Sequence, residues 1–358
     1  MEKKLILVIN PGSTSTKMAV FEEEKLIFEK TIRHTAEELQ NFGKITGQFH
    51  FRKNMIIKEL TERNIDFSDI AAVVGRGGLV KPIESGIYKV NELMKRDLEN
   101  SPMGEHASNL GALIADEIAS ELPGVPAFIV DPVVVDEMDQ VARISGHPAI
   151  ERVSIFHALN QKAVARLYAS SAGKKYESLN LIVAHMGGGI SVGAHRHGRV
   201  VDVNNALGGD GPFSPERSGG LPSKQLAELC FSQKYTREEV MTMLVGKGGM
   251  AAYLGTTDFR EVCTRASEGD KKAQLIIDAL AYQVAKEIGS MAAVLSGKVD
   301  AIILTGGIAY QEFFTDKIKS MINFIAEVVV YPGEDEMKAL AFNALLALKG
   351  RIKIDNYI

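Results

Sequence analysis

Two short stretches of this chain carry the residue types that hold a polyphosphate. They are Asn10-Pro11-Gly12-Ser13-Thr14-Ser15-Thr16-Lys17 and His185-Met186-Gly187-Gly188-Gly189-Ile190-Ser191. Small residues let backbone N–H groups approach an anionic oxygen closely, and the hydroxyls of Ser13, Ser15 and Ser191 and the ammonium of Lys17 can donate to it. A tight hairpin that uses glycine for its positive φ accounts for one such turn alone at least as well. Two matching turns, with a further pair at Gly306-Gly307 behind an apolar run, favour the phosphate reading.

The elements that must position these residues repeat. Each turn follows an apolar run, residues 5–9 and 181–184, and leads into another strand-like segment, so each reads as strand, turn, strand. The first half shows strands at 4–10, 17–22 and 25–32, then helical patterns at 55–63 and 105–122 alternating with strands at 70–75 and 127–131. The second half repeats the order with strands at 179–186, 190–195 and 199–203. Helices then begin at Ser223 and at Thr236, where Thr236 and Glu239 have capping-box spacing. A long helix at 271–295, a strand at 301–304, a helix at 312–324 and a strand at 327–331 follow. The last helical pattern, 336–348, is expected to return to the first half. The repeat predicts an α/β protein of two similar lobes with a nucleotide cleft between them. The N-terminal lobe would comprise 1–135 plus about 340–358, and the C-terminal lobe 136–339.

Bulk properties exclude several classes. A chain of 358 residues exceeds what one core usually serves, and 46% hydrophobic residues make an ordinary globular interior. The formal charge of −4 gives no general basic field for nucleic acid. Cys230 and Cys263 are the only cysteines and lack metal-ligand spacing, which argues against zinc and for a reducing compartment. Lys3-Lys4 ahead of residues 5–9 has the outline of a secretory leader, but the apolar run is too short and meets Asn10-Pro11. No stretch is long enough to span a bilayer, so a cytoplasmic protein is expected. The common phosphate-binding motifs are absent: no G-x-x-x-x-G-K-[ST] occurs, and no G-x-G-x-x-G opens a helix after the first strand. What remains is the two-lobed plan shared by sugar kinases, actin-like and heat-shock ATPases and carboxylate kinases.

Within that group the two turns resemble the two signatures of the acetokinase family, in order and spacing, and the resemblance covers nearly the whole chain. Gly75-Arg76-Gly77-Gly78, Asp131-Pro132 and Asp210-Gly211-Pro212-Phe213-Ser214-Pro215-Glu216-Arg217-Ser218-Gly219 are similar to its butyrate kinase branch. Acetate and propionate kinases usually carry His where this chain has Gly75, and acetate kinases tend to have Asn where it has Gly188. The resemblance implies ATP-dependent phosphorylation of butyrate or a branched relative such as isobutyrate, reversibly, by direct in-line transfer. A kinase preferring acetate or propionate, or an actin-like or heat-shock-like ATPase, is the alternative.

The resemblance also implies roles. Arg76 would serve the substrate side, Arg217 would stabilise charge on the transferring phosphoryl group, and His157 would donate a hydrogen bond to it. Asp131 would serve magnesium or orient the carboxylate. Asn10, Ser13, Ser15, Lys17, His185, Gly187, Gly188 and Gly189 would hold phosphates, with Asp258, Arg260, Gly306, Gly307 and Ile308 around the adenosine. Asn10, Asp131 and Glu336 would lie near Mg²⁺, although Glu334 and Asp335 compete with Glu336 for that register. Read singly, each residue has a plainer explanation: a solvated arginine, a capping aspartate, a core histidine, helix-start charge. The implied ligands are ATP/ADP, Mg²⁺ and a short-chain carboxylate, and the implied assembly is a homodimer or larger.

Overall fold

The computed structural model describes residues 4–358, so Lys3 of the leader-like run lies outside the described residues. Two compact units emerge: the chain up to Val135 together with Asp335–Ile358, and Asp136–Glu334. The return to the first unit thus falls at Asp335 rather than near 340.

Fourteen strands run through the described residues. In the first unit they are β1 (Leu5–Pro11), β2 (Ser15–Glu22), β3 (Lys25–Arg33), β4 (Ile70–Arg76), β5 (Ile87–Lys89) and β6 (Ala127–Val130). The second unit holds β7 (Ile144–His147), β8 (Ile150–Glu151), β9 (Asn180–Met186), β10 (Ile190–Arg196), β11 (Arg199–Val203), β12 (Ala301–Gly306) and β13 (Val328–Pro332), and β14 (Ile354–Asn356) closes the first. The first sheet has the order β14-β5-β6-β4-β1-β2-β3 and the second β11-β10-β9-β12-β13. Both contain the same core: a three-strand antiparallel meander whose first strand pairs in parallel with the next, which pairs in parallel with another.

Alternation along β9 decides what faces what. Ile182, Ala184 and Met186 join the core under the helix Lys271–Val294, while Leu181 and Val183 pack with Val164, Ala165 and Ala169 of the helix Ala158–Ser171. A period of two therefore puts His185 on the side of the second helix, with Ser191 and His195, which stand opposite His185 and Leu181 on β10. In the first unit, Ile6–Ile9 are completely buried, as in a parallel strand covered on both faces, and the helices Asn109–Ser120 and Glu336–Leu348 pack on β1 and β4. Gly75 and Gly111 let β4 meet the first of these helices backbone to backbone, since a Cβ on Gly75 would lie 2.1 Å from the Gly111 carbonyl oxygen.

Several expected boundaries move. The pattern at 55–63 is the end of a helix that begins at Phe49, and the alternation of Phe49 and Phe51 with His50, Arg52 and Lys53 hid the start. The pattern at 105–122 is helical only over Asn109–Ser120, because the Asn109 side chain turns away to Leu79 N and Gly104 O. The helix Ala158–Ser171 and the β7–β8 hairpin had no clear periodicity and are additions.

On the helix Lys271–Val294, burial and then the nearby Asp210 carboxylate push Glu287 up to about 7, with Asp202 adding to the shift. The folded state therefore keeps a proton that the unfolded chain loses near 4.5, so stability falls as pH rises from about 4.5 to about 7. Glu287→Gln should raise the Tm at pH 8 while changing it little at pH 4. An equal Tm shift at both pH values would contradict this.

Candidate functional site

The first unit gathers its candidates at the carboxyl ends of three adjacent parallel strands, where open α/β sheets bind ligands. In register, Ile9 of β1 pairs with Gly75 of β4, and Arg76 pairs with Val130 of β6, so Asn10, Arg76 and Asp131 come off neighbouring strand ends. Glu336, at the start of the helix Glu336–Leu348, is 7% exposed and joins them. Its Oε1 is 2.9 Å from Arg76 Nη2, and its Oε2 accepts from Asn10 Nδ2 at 2.9 Å. Glu336 therefore keeps company with Asn10 and Arg76, whereas Glu334 belongs to the second unit, 3.7 Å from His185 Nε2.

Asp131 is buried with φ +37, a left-handed backbone that aspartate tolerates at some cost. Its Oδ1 accepts from Ser85 Oγ at 2.6 Å and from Gly86 N at 2.9 Å. Lys17 pairs instead with Glu29 on β3, 3.0 Å away. Asn10, Asp131 and Glu336 offer only oxygen to a cation, which suits Mg²⁺, an ion that retains waters and phosphate oxygens and needs only one or two carboxylates. Among the described residues, no group of three or more His, Cys, Asp or Glu is placed to cage a metal.

The turn between β1 and β2 has an organiser absent from the sequence reading. Arg52, completely buried in the first turn of its helix, donates through Nη1 to Gly12 O at 2.9 Å, Ser15 O at 2.8 Å and Thr16 Oγ1 at 3.0 Å. Its Nη2 reaches Ser13 O at 3.3 Å, and Nε and Nη2 both bond Gln48 Oε1. Thr14 O accepts from His34 N. Every carbonyl from 12 to 15 thus has a donor within the unit, Gly12 N closing the turn on Ser15 O, while Ser13 at its tip is exposed. Burial lowers Arg52 to about 10, so it stays charged near neutrality. The only clue in the sequence was Gln48 and Arg52 four apart in a segment with no obvious helical face.

In the second unit the turn Gly187–Gly189 closes through Gly187 N to Gly189 O at 3.0 Å. Ser214 Oγ donates to Gly188 O at 2.6 Å and accepts from Arg217 N at 3.2 Å, which fixes the loop bearing Arg217 over the turn. Arg217 Nη1 donates to Ala206 O, and Nη2 lies 3.6 Å from Glu216. A Cβ at position 189 would come 2.2 Å from Arg217 Nη1, so glycine there is what admits the guanidinium. Burial lowers the pKa of Arg217, with Glu216 opposing the shift, and its Nε has no hydrogen-bond partner among the described residues.

Behind the turn the rings of His157 and His185 stack, centroids 3.8 Å apart and 10° between planes. His157 Nδ1 is 2.9 Å from Ser191 Oγ, and His185 Nδ1 is 2.8 Å from Asn160 Oδ1. A cleft of about 720 Å³ runs from this turn past Glu216, Asp258, Arg260, Gly307, Ile308 and Glu334. It brings together candidates from three distant stretches of sequence. Within it Asp258 also caps the helix Phe259–Ser267, its Oδ1 accepting from Arg260 N at 2.9 Å, and those backbone bonds hold its pKa below the ordinary carboxylate value. Gly306 exchanges backbone hydrogen bonds with Gly333 and does not itself line the cleft, whereas Gly307 next to it does.

A sequence model of the acetokinase family matches residues 149–322. Butyrate kinase 1 and butyrate kinase 2 of Clostridium acetobutylicum are 60% and 58% identical to the chain over 352 residues, 98% of it and 99% of each relative. The crystal structure of Porphyromonas gingivalis acetate kinase superposes with a TM-score of 0.81 at 19% identity, covering 97% of this chain and all of that one, a likeness of fold.

Proposed function

The chain belongs to the acetokinase family, and we propose that it acts as a butyrate kinase: ATP and butyrate, or a branched acid such as isobutyrate, give the acyl phosphate and ADP, reversibly. The likeness to butyrate kinases along the full chain is the observation that supports this most. The Asn10–Arg76–Glu336 group and the cleft beside Gly187–Gly189 supply chemistry to match. In-line phosphoryl transfer asks little covalent work of protein groups and much positioning and charge neutralisation.

The planar fork of Arg76 suits a carboxylate or phosphoryl group bidentately, with Glu336 holding it in place. Asp131, pinned by Ser85 and Gly86, orients the acid's surroundings. His157 and Arg217 donate to the transferring group, the Arg52-braced turn and Gly187–Gly189 hold phosphates, and Asp258, Arg260, Gly307 and Ile308 line the place for the adenosine. Asn10 and Glu336, with Asp131 near, would hold Mg²⁺, which would supply neutralisation of polyphosphate charge. A cytoplasmic homodimer is part of the same proposal. No helix among the described residues is long and apolar enough to cross a membrane.

Hydroxylamine trapping tests the reaction. Acyl hydroxamate should form from ATP only when acid is supplied, and kcat/KM for butyrate or isobutyrate should exceed that for acetate. One methylene is worth only about 1–3 kcal/mol in a pocket, so neighbouring acids will overlap. A clear acetate preference, or ATP turnover that ignores the acid, would sink the reading.

A further inference from the structure

The polar layer under His157 fixes the position of a proton. The helix Ala158–Ser171 starts just after His157 and turns Gln161, 0% exposed, onto the same sheet face as Ser191 and His195. Gly193 lies between those two on β10 and makes room, since a Cβ there would sit 2.6 Å from Gln161 Oε1. One end of the Gln161 amide is 3.0 Å from Ser191 O, a carbonyl that can only accept, so that end is the NH₂ group. The other end is then the oxygen, and the 2.9 Å contact from His195 Nε2 to it requires a proton on that Nε2. His195 Nδ1 is left to accept from Tyr176 Oη at 2.7 Å. Burial, with Lys162 and Arg166 nearby, lowers His195 far below its ordinary value, in keeping with a neutral ring.

The second hydrogen of Gln161 Nε2 goes to Ser191 Oγ at 2.8 Å, and the backbone N–H of His157 approaches the same oxygen at 3.4 Å. A hydroxyl oxygen has two lone pairs, and both are now used. Ser191's own hydrogen is therefore the one that lies between Oγ and His157 Nδ1. A protonated Nδ1 would make a third donor to one hydroxyl and strand the serine hydrogen.

We propose that Gln161 is a positioning residue. Anchored by Tyr176 and His195, it turns the Ser191 hydroxyl toward His157 Nδ1 and so holds His157 as the Nε2–H tautomer, with its Nε2 a fixed donor for an anionic phosphoryl oxygen. This rests on the reading of His157 given above. The arrangement makes the donor ready before substrate arrives, which is where preorganisation gains rate.

The test is ¹⁵N-histidine NMR of the full chain at pH 7.5, with His157 signals assigned by their loss in His157→Asn, alongside kinetics with butyrate. The wild type should show an unprotonated Nδ1 and a protonated Nε2 at His157. Gln161→Met, similar in volume but without the amide, should give mixed tautomers and lower kcat by roughly tenfold to a hundredfold with KM for the acid little changed, less than the loss of a whole donor. Ser191→Ala reads the same tautomer should Gln161→Met fail to fold. A protonated Nδ1 in the wild type, or an unaltered tautomer in both variants, would overturn the proposal. Wild-type protein with the expected signals but no activity toward any carboxylate would overturn the kinase reading and support the tautomer assignment.

Discussion

Arg217→Ala should lower kcat/KM for the preferred acid by about a thousandfold, equivalent to about 4 kcal/mol, and leave the Tm unchanged or slightly higher. The opposite signs follow from one observation. Arg217 is held by a single strong bond to Ala206 O, its Nε finds no partner among the described residues, and burial already lowers its pKa. A half-buried charge whose Nε lacks a partner costs the fold up to about 1–3 kcal/mol, so removing it does not harm stability. The same under-satisfaction leaves donors ready for charge that develops only during transfer. Arg217→Lys should recover little, because an ammonium lacks the fork. Initial rates and thermal melts on the same samples check both halves, and wild-type turnover in the alanine variant would refute the role.

Arg52→Met should act the other way round, through the fold. The methionine fills most of the volume but leaves Gly12 O, Ser13 O and Gln48 Oε1 without their donor, while Ser15 O keeps Gly12 N and Thr16 Oγ1 keeps His34 Nε2. A stranded acceptor costs about 1–3 kcal/mol where water cannot reach it, as at the buried Gln48, and less at Gly12 and Ser13. The expected loss is about 3–5 kcal/mol, as when one partner of a buried charged network is removed. With its carbonyls released, the first turn should also weaken its hold on phosphate, raising KM for ATP. Chemical denaturation measures the first effect and nucleotide titration the second. A variant as stable as wild type would show that the turn does not depend on Arg52.

Much of the architecture is legible because it rests on period and punctuation. The strands at 5–9 and 181–184 are apolar runs that end in glycine turns, and residues 336–348 form a continuous helical pattern, so each announces itself locally. The helix Ala158–Ser171 does not, because its buried face carries Asn160, Gln161 and Lys162, side chains that read as solvent-facing until His185, Ser191 and Glu137 are seen opposite them. Arg52 was missed for the same reason: a charged residue in an apolar interior is visible only together with the acceptors that surround it.

The sequence alone determined the two glycine-rich turns, the repeated order of elements, and through its resemblance the kind of reaction. Those depend on local backbone chemistry and on residue types at fixed spacing. Only the tertiary structure decided that Glu336 rather than Glu334 joins Asn10 and Arg76, that Lys17 pairs with Glu29, that Gly189 makes room for Arg217, and that His157 meets Ser191. Each of these turns on which side chains meet across strands, helices and loops distant in the chain, and such meetings are set by sheet register and packing, which no short stretch of sequence encodes.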